Sequence, residues 1–207
     1  MTRKKILFQL TAILIIFTCF FMMKNLNRVK DESNVSQVEL LGNIGLTDDV
    51  LKHRESVERY AKEFGIEEHI PILLALIEVE THGLHADLMR SSESLGLPVN
   101  TLTFDGSIEQ GCKYFSELLE ISKEKQCNLN TTIQAYNFGS GFIEYVSTQG
   151  NSYSYKLAEE YAKKNSEGVR VEFLENYAVA MNGGWRYQYG NQFYVLAINK
   201  YLINVTI

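Results

Sequence analysis

The chain has 207 residues, 45% hydrophobic and 22% charged, with two prolines, 14 glycines and three cysteines. That balance excludes wholesale disorder, collagen-like or proline-rich linker proteins and a disulfide-stapled miniature fold. Twenty Lys and Arg against 25 Asp and Glu exclude nucleic acid as an expected partner.

The N-terminus departs from this average. Residues 1–5 form a basic end with Arg3, Lys4 and Lys5, and residues 6–23, ILFQLTAILIIFTCFFMM, carry no charge. As a helix these 18 residues extend roughly 27 Å, enough for a hydrocarbon core of about 30 Å. A cleaved signal peptide would have a shorter apolar stretch and small residues at its cleavage site, where Phe20, Phe21, Met22 and Met23 stand. The segment therefore reads as a single transmembrane helix, with a cytoplasmic N-terminus and an extracellular body. Cys19 reads as a plain membrane cysteine, since Phe17 and Thr18 before it suit lipobox processing poorly. Residues 24–45 are polar and weakly periodic, an extracellular linker. Without Arg3, Lys4 and Lys5 the remainder has 17 basic and 25 acidic residues, a net of −8. A basic stripe for anionic wall polymers is absent, so a polymer substrate would be held by neutral contacts in a groove.

Residues 46–207 read as helix after helix around one core. Thr47 can cap a helix in which Val50, Val57, Tyr60, Ala61 and Phe64 repeat at helical spacing, stopped by Gly65. Pro71 opens the next, PILLALIEVETHG, apolar nearly all round and therefore buried, ending at Gly83. A loop is expected from Leu84 to about Gly106. Ser107 caps a helix with Ile108, Cys112, Phe115, Leu118 and Leu119 inward, and Asn130 or Thr131 caps a short helix through Tyr136. Amphipathic stretches follow at 142–148, 153–164, 169–181 and 191–202. No useful strand alternation appears, so the expected fold is all-α.

Glu80 is the oddity. A carboxyl group at the end of so apolar a helix loses hydration, which raises its pKa and keeps it protonated near neutrality. That is the state that hands a proton to a glycosidic oxygen. Glu78 lies about 200° around the same helix, and spacing alone leaves open which glutamate faces a groove.

Four elements follow in order: Glu80-Thr81-His82-Gly83, Asp87-Leu88-Met89-Arg90-Ser91-Ser92-Glu93-Ser94, Ser107-Ile108-Glu109-Gln110-Gly111, and Ala135-Tyr136-Asn137-Phe138-Gly139. This order resembles the lysozyme-like superfamily of goose-type lysozymes and soluble lytic transglycosylases. The second element looks more specifically like the CwlT-like branch of membrane-anchored Gram-positive wall hydrolases. The resemblance covers about Leu46 to Leu202. It implies a lysozyme-like helical domain, peptidoglycan glycan strands as partner and substrate, and no cofactor or metal. By resemblance Glu80 is the catalytic acid, and Tyr136 is the tyrosine whose hydroxyl approaches it. Asn137 and Gly139 shape a turn that lets a sugar approach the backbone. Asp87, Ser91, Ser92 and Glu93 belong to a loop facing the cleft, where their oxygens suit sugar hydroxyls and acetamido groups. Related sequences usually have glutamine where Arg90 stands. An arginine there can grip a substrate carboxylate, or pair with Glu80 and lower its pKa.

Hydrolysis needs an activated water, usually through a second carboxylate, whereas lytic transglycosylation does not. Asp87 and Glu93 are the candidates, each with a competing role in structuring the loop. The resemblance favours an N-acetylmuramidase. The alternatives are a lytic transglycosylase using the same acid and a catalytically weak glycan-binding or scaffold protein.

Other residues have plainer readings. His82 and His85 lack the spacing of a zinc helix, and His53 and His69 read as surface histidines. If the helix from Ser107 runs to about Lys125, Cys112 and Cys127 would lie about 20 Å apart, too far for a disulfide. Trp185, Tyr187, Tyr189, Phe193 and Tyr194 can either wall a glycan groove or pack in the core.

Overall fold

The structure, a computed structural model, describes residues 45–202. The expected anchor and nearly all of the linker lie outside these residues, as do residues 203–207. Among the described residues, no helix is long and apolar enough to cross a membrane.

Nine α-helices occur there: α1 (Asp48–Leu51), α2 (Arg54–Glu63), α3 (Ile70–Thr81), α4 (Phe104–Glu124), α5 (Leu129–Phe138), α6 (Gly141–Ser147), α7 (Tyr155–Asn165), α8 (Asn176–Asn182) and α9 (Tyr194–Leu202). Helix α3 is central, as its all-round apolar sequence requires. Residues 72–78 are buried without interruption, and α3 packs against α1, α2 and α9. Pro71 lies in its first turn, where no hydrogen bond is lost. His82 ends it in the left-handed region with φ 53°, and Gly83 follows at φ 72°. A Cβ on Gly83 would stand 2.5 Å from the Asp49 carbonyl oxygen, so this turn fits against α1 only as glycine.

A second cluster gathers Leu118, Ala135, Phe138, Phe142, Ile143 and Val146 between α4, α5 and α6. Cys112 belongs to the first core, where burial pushes its thiol up to about 12. Cys112 and Cys127 are both free thiols.

Several boundaries differ from expectation. Helix α4 begins at Phe104, capped by the Thr103 hydroxyl, which accepts from the Gly106 amide. Ser107 is thus interior to α4 and has another task, described below. Asn128, not Asn130 or Thr131, caps α5. The loop after α3 contains a 3-10 turn at Ser91–Leu95. The stretch 169–181 is not one helix. Gly168 at φ 81° breaks the chain, and Arg170–Glu172 (β1) pairs antiparallel with Trp185–Tyr187 (β2). Three-residue strands leave no alternation to read, and Arg170 stacks on the Trp185 ring at 3.8 Å.

His53 and His69 are half-buried rather than on the surface. His53 stacks on Phe104 and His69 meets the Phe115 ring edge-on.

Candidate active site

The end of α3 presents its two glutamates in opposite directions. Glu78 is 1% exposed. One of its oxygens accepts from the Thr47 amide at 2.8 Å and the Thr47 hydroxyl at 2.9 Å. The other lies 2.9 Å from His82 Nδ1. Thr47 therefore bonds Glu78 and makes no side-chain cap on α1. Glu78 is a fastening between the start of the domain and its central helix.

Glu80 faces a groove of about 360 Å³. Its side chain is 13% exposed. Burial pushes the carboxyl up from the ordinary glutamate range, against the opposing pull of a Tyr194 hydrogen bond and the Arg90 charge. Desolvation is the larger effect because the Arg90 guanidinium is itself half in water and its Nε stands 3.8 Å from Glu80 Oε2. A loose, hydrated cation offsets only part of a burial penalty.

The tyrosine on the acid is not the expected one. Tyr136 Oη donates to the Met89 carbonyl at 3.0 Å, joining α5 to the loop after α3. Tyr194 Oη donates to Glu80 Oε1 at 2.5 Å. Tyr194 is 1% exposed, and burial, followed by the Glu80 charge, holds its phenol well above the ordinary value. It is therefore a proton donor that never ionises at working pH. A sequence signal for it existed: a tyrosine inside the apolar run Phe193–Ile198 needs a partner for its hydroxyl. Removing that donor destabilises the ionised carboxylate, so Tyr194→Phe raises the Glu80 pKa further. The expected result is a roughly tenfold loss of turnover with the alkaline limb of the pH–rate profile displaced upward. An unmoved limb would show that the hydroxyl does not act on Glu80.

The loop after α3 is organised from within. Asp87 is wholly buried and does not line the groove. Its oxygens accept from the Ser91 amide at 3.0 Å, the Ser92 amide at 3.3 Å and the Ser107 hydroxyl at 2.6 Å. Burial alone would raise this carboxyl group, but those bonds together hold it below the ordinary aspartate range. Ser92 is likewise turned inward, its hydroxyl accepting from the Thr101 and Leu102 amides, each at 3.2 Å. Ser91 borders the groove, yet its hydroxyl donates to the Ser107 carbonyl at 2.9 Å. The expectation that these oxygens address sugars is thus corrected for Asp87 and Ser92. Buried carboxylates and hydroxyls must be paired, and here they are paired with the loop itself.

The Ser107–Gly111 element now has a physical reading. Ser107 Oγ accepts from the Met89 amide at 3.0 Å while donating to Asp87. Gly111 leaves room for the Met89 side chain, whose Sδ would lie 2.5 Å from an added Cβ. Helix α4 so fixes the groove wall from behind.

Glu93, Ser94 and Arg90 border the groove on the loop side, with Tyr136, Asn137 and Gly139 on the other. Asn137 Oδ1 accepts from the Asn191 amide at 2.6 Å, which ties the start of the segment leading into α9, and hence Tyr194, to α5. Gly139 has φ 84° and ψ 164°, a conformation open essentially to glycine. Trp185, Tyr187, Tyr189 and Phe193 do not wall the groove. Tyr187 and Phe193 are buried, and Tyr189 Oη donates to the Phe138 carbonyl at 3.1 Å.

A family model described as lysozyme-like matches residues 47–202. The chain is 35% identical over 160 residues to the bifunctional muramidase/DL-endopeptidase CwlT of Bacillus subtilis, covering 77% of this chain and 43% of that protein. It is 34% identical over 113 residues to the uncharacterized membrane protein YocA of the same organism, covering 54% and 50%. A crystal structure from Staphylococcus aureus, described as similar to a lipoprotein of the NLP/P60 family, superposes with a TM-score of 0.77 at 45% identity, covering 79% of this chain and 55% of that one. The chain thus spans less than half of CwlT and about half of each of the other two.

Proposed function

The chain belongs to the lysozyme-like family, and on that premise we propose that it is a peptidoglycan glycosidase, an N-acetylmuramidase with Glu80 as general acid. The observation that carries this reading is a largely desolvated carboxyl group open to a sugar-sized groove, with a buried tyrosine bonded to one oxygen. Protonated Glu80 gives its proton to the glycosidic oxygen as the bond to N-acetylmuramic acid breaks through an oxocarbenium-like transition state. Among the described residues, Glu93 is the other carboxylate that borders the groove, so it is our candidate for activating water. Of the muramidase and DL-endopeptidase activities of CwlT, we carry over only the glycan-cleaving one, which suits an acid-lined groove. The apolar run 6–23 would hold the domain outside the cell membrane, a reading supported by the similarity to a membrane protein.

A second reading, lytic transglycosylation, is favoured by one observation. Asp87, a candidate second carboxylate, is spent on its own loop. Mass spectrometry of products from purified walls tests both. Reducing muramic ends are expected. Anhydromuramyl ends would replace hydrolysis by transglycosylation, and binding without released fragments would overturn the enzymatic reading.

A further inference from the structure

Arg90 is held in place at some cost. It sits in the left-handed region at φ 46° and ψ 40°, where a non-glycine side chain is uncommon. Its neighbours impose that conformation: its own amide donates to the Asp87 carbonyl at 3.1 Å, and Ser91 and Ser92 are tied to the Asp87 carboxylate. The result is an arginine side chain at the border of the groove, 52% exposed. At 3.8 Å its approach to Glu80 is a charge contact without a hydrogen bond. Among the described residues, no acceptor takes a hydrogen bond from that guanidinium. Its planar set of N–H donors therefore faces the groove unspent, and such a fork matches a carboxylate in two parallel bonds. The groove is otherwise neutral or acidic, bordered by Ser91, Ser94 and Asn137 together with Glu80 and Glu93.

We propose that Arg90 is a specificity residue that receives a free carboxylate carried on the muramic acid residue of the glycan, and that in doing so it leaves Glu80. The inference rests on the glycosidase reading above and deepens it. Two sources share this chemistry: the lactyl carboxylate of a sugar stripped of its peptide, and a carboxylate of an attached stem. Drawing the guanidinium onto a substrate anion removes the opposite charge beside the acid. The groups left facing Glu80 are Tyr194 from α9, Tyr136 from α5, and Glu93 and Asp87 from the loop. Tyr194 keeps favouring the ionised form, while Glu93 and Asp87 favour protonation. The correct substrate would thus help to load the proton it receives.

The test uses three glycans: stem-free strands with free lactyl carboxylates, the same strands with those carboxylates converted to amides, and strands bearing intact stems. Binding is measured calorimetrically on the Glu80→Gln variant, with and without Arg90→Gln or Arg90→Lys, so the readout does not need turnover. With Arg90 present, strands carrying the free carboxylate are expected to bind about tenfold tighter than their amides. Arg90→Gln is expected to erase that preference and Arg90→Lys to keep part of it. In the active enzyme, free-carboxylate strands should show the alkaline limb at higher pH than amidated strands, a difference that Arg90→Gln removes. Tight binding of stem-bearing strands alone would assign the stem as the source. Equal binding of all three glycans, or binding that Arg90→Gln leaves unchanged, would overturn the proposal while leaving the glycosidase intact. An Arg90-dependent preference without cleavage by the parent chain would overturn the glycosidase and leave the carboxylate receptor standing.

Discussion

Glu80→Gln is expected to reduce release of wall fragments by about 10³-fold or more while leaving the domain folded. General acid catalysis accounts for roughly 10²–10⁴ in rate, and the amide keeps the size and one hydrogen-bond acceptor of the carboxyl group. The stability effect has a definite sign. The folded pKa of Glu80 is raised, chiefly by burial, so the folded state binds its proton more tightly than the unfolded chain. Stability from this group is fully present below the unfolded carboxyl value and declines as pH rises through the folded one. At neutral and mildly alkaline pH the acid is a liability that the amide lacks. The variant should therefore melt no lower than the parent at pH 8, and its advantage should vanish at pH 4. Retained wall lysis would remove Glu80 from the chemistry, and a lower melting point at pH 8 would contradict the burial argument.

Asp87→Ala is expected to be the most damaging change among those considered for stability, at about 3 kcal/mol, without deleting any group that borders the groove. It leaves the Ser91 and Ser92 amides and the Ser107 hydroxyl short of an acceptor in a buried loop, and each orphaned group costs about 1–3 kcal/mol. For a domain of this size the melting temperature should fall by roughly 10 °C. Asp87→Asn keeps an acceptor and should fall less. The folded pKa of Asp87 is lowered, so its contribution is present above the unfolded value of about 3.9 and lost as pH falls through the folded one. Acid titration of melting temperature should consequently be flatter in Asp87→Asn than in the parent. An Asp87→Ala chain that melts like the parent but loses activity would return this residue to the groove.

These two carboxylates also show what sequence can and cannot resolve. Helix α3 was legible from its unbroken apolar run, and the acid at its end was conspicuous because the helix had to be central. Glu78 and Glu80 were not separable by spacing, because a fully buried helix has no solvent side to assign. The distinction came from Thr47, 31 residues upstream. The loop 84–95 was readable as a motif but not as a structure. Its serines and aspartate are polar, and only folding reveals that they bond one another around Ser107. The hairpin at 170–172 and 185–187 escaped because its strands are too short to show a period of two. The identity of the tyrosine on Glu80 depended on α9, whose path back to α3 is set by the Asn137–Asn191 bond rather than by local propensity.

The bond from Thr47 to Glu78 sets a boundary for cutting the domain free of what precedes it. A shortened chain beginning at Asp48 would discard both the amide and the hydroxyl that satisfy one oxygen of a carboxylate 1% exposed, leaving that buried group, two positions from the acid, with its His82 contact alone. Secretion or refolding trials that start at or before Leu46 should yield working material, whereas those that start a few residues later should yield insoluble or inert protein for reasons unrelated to the groove.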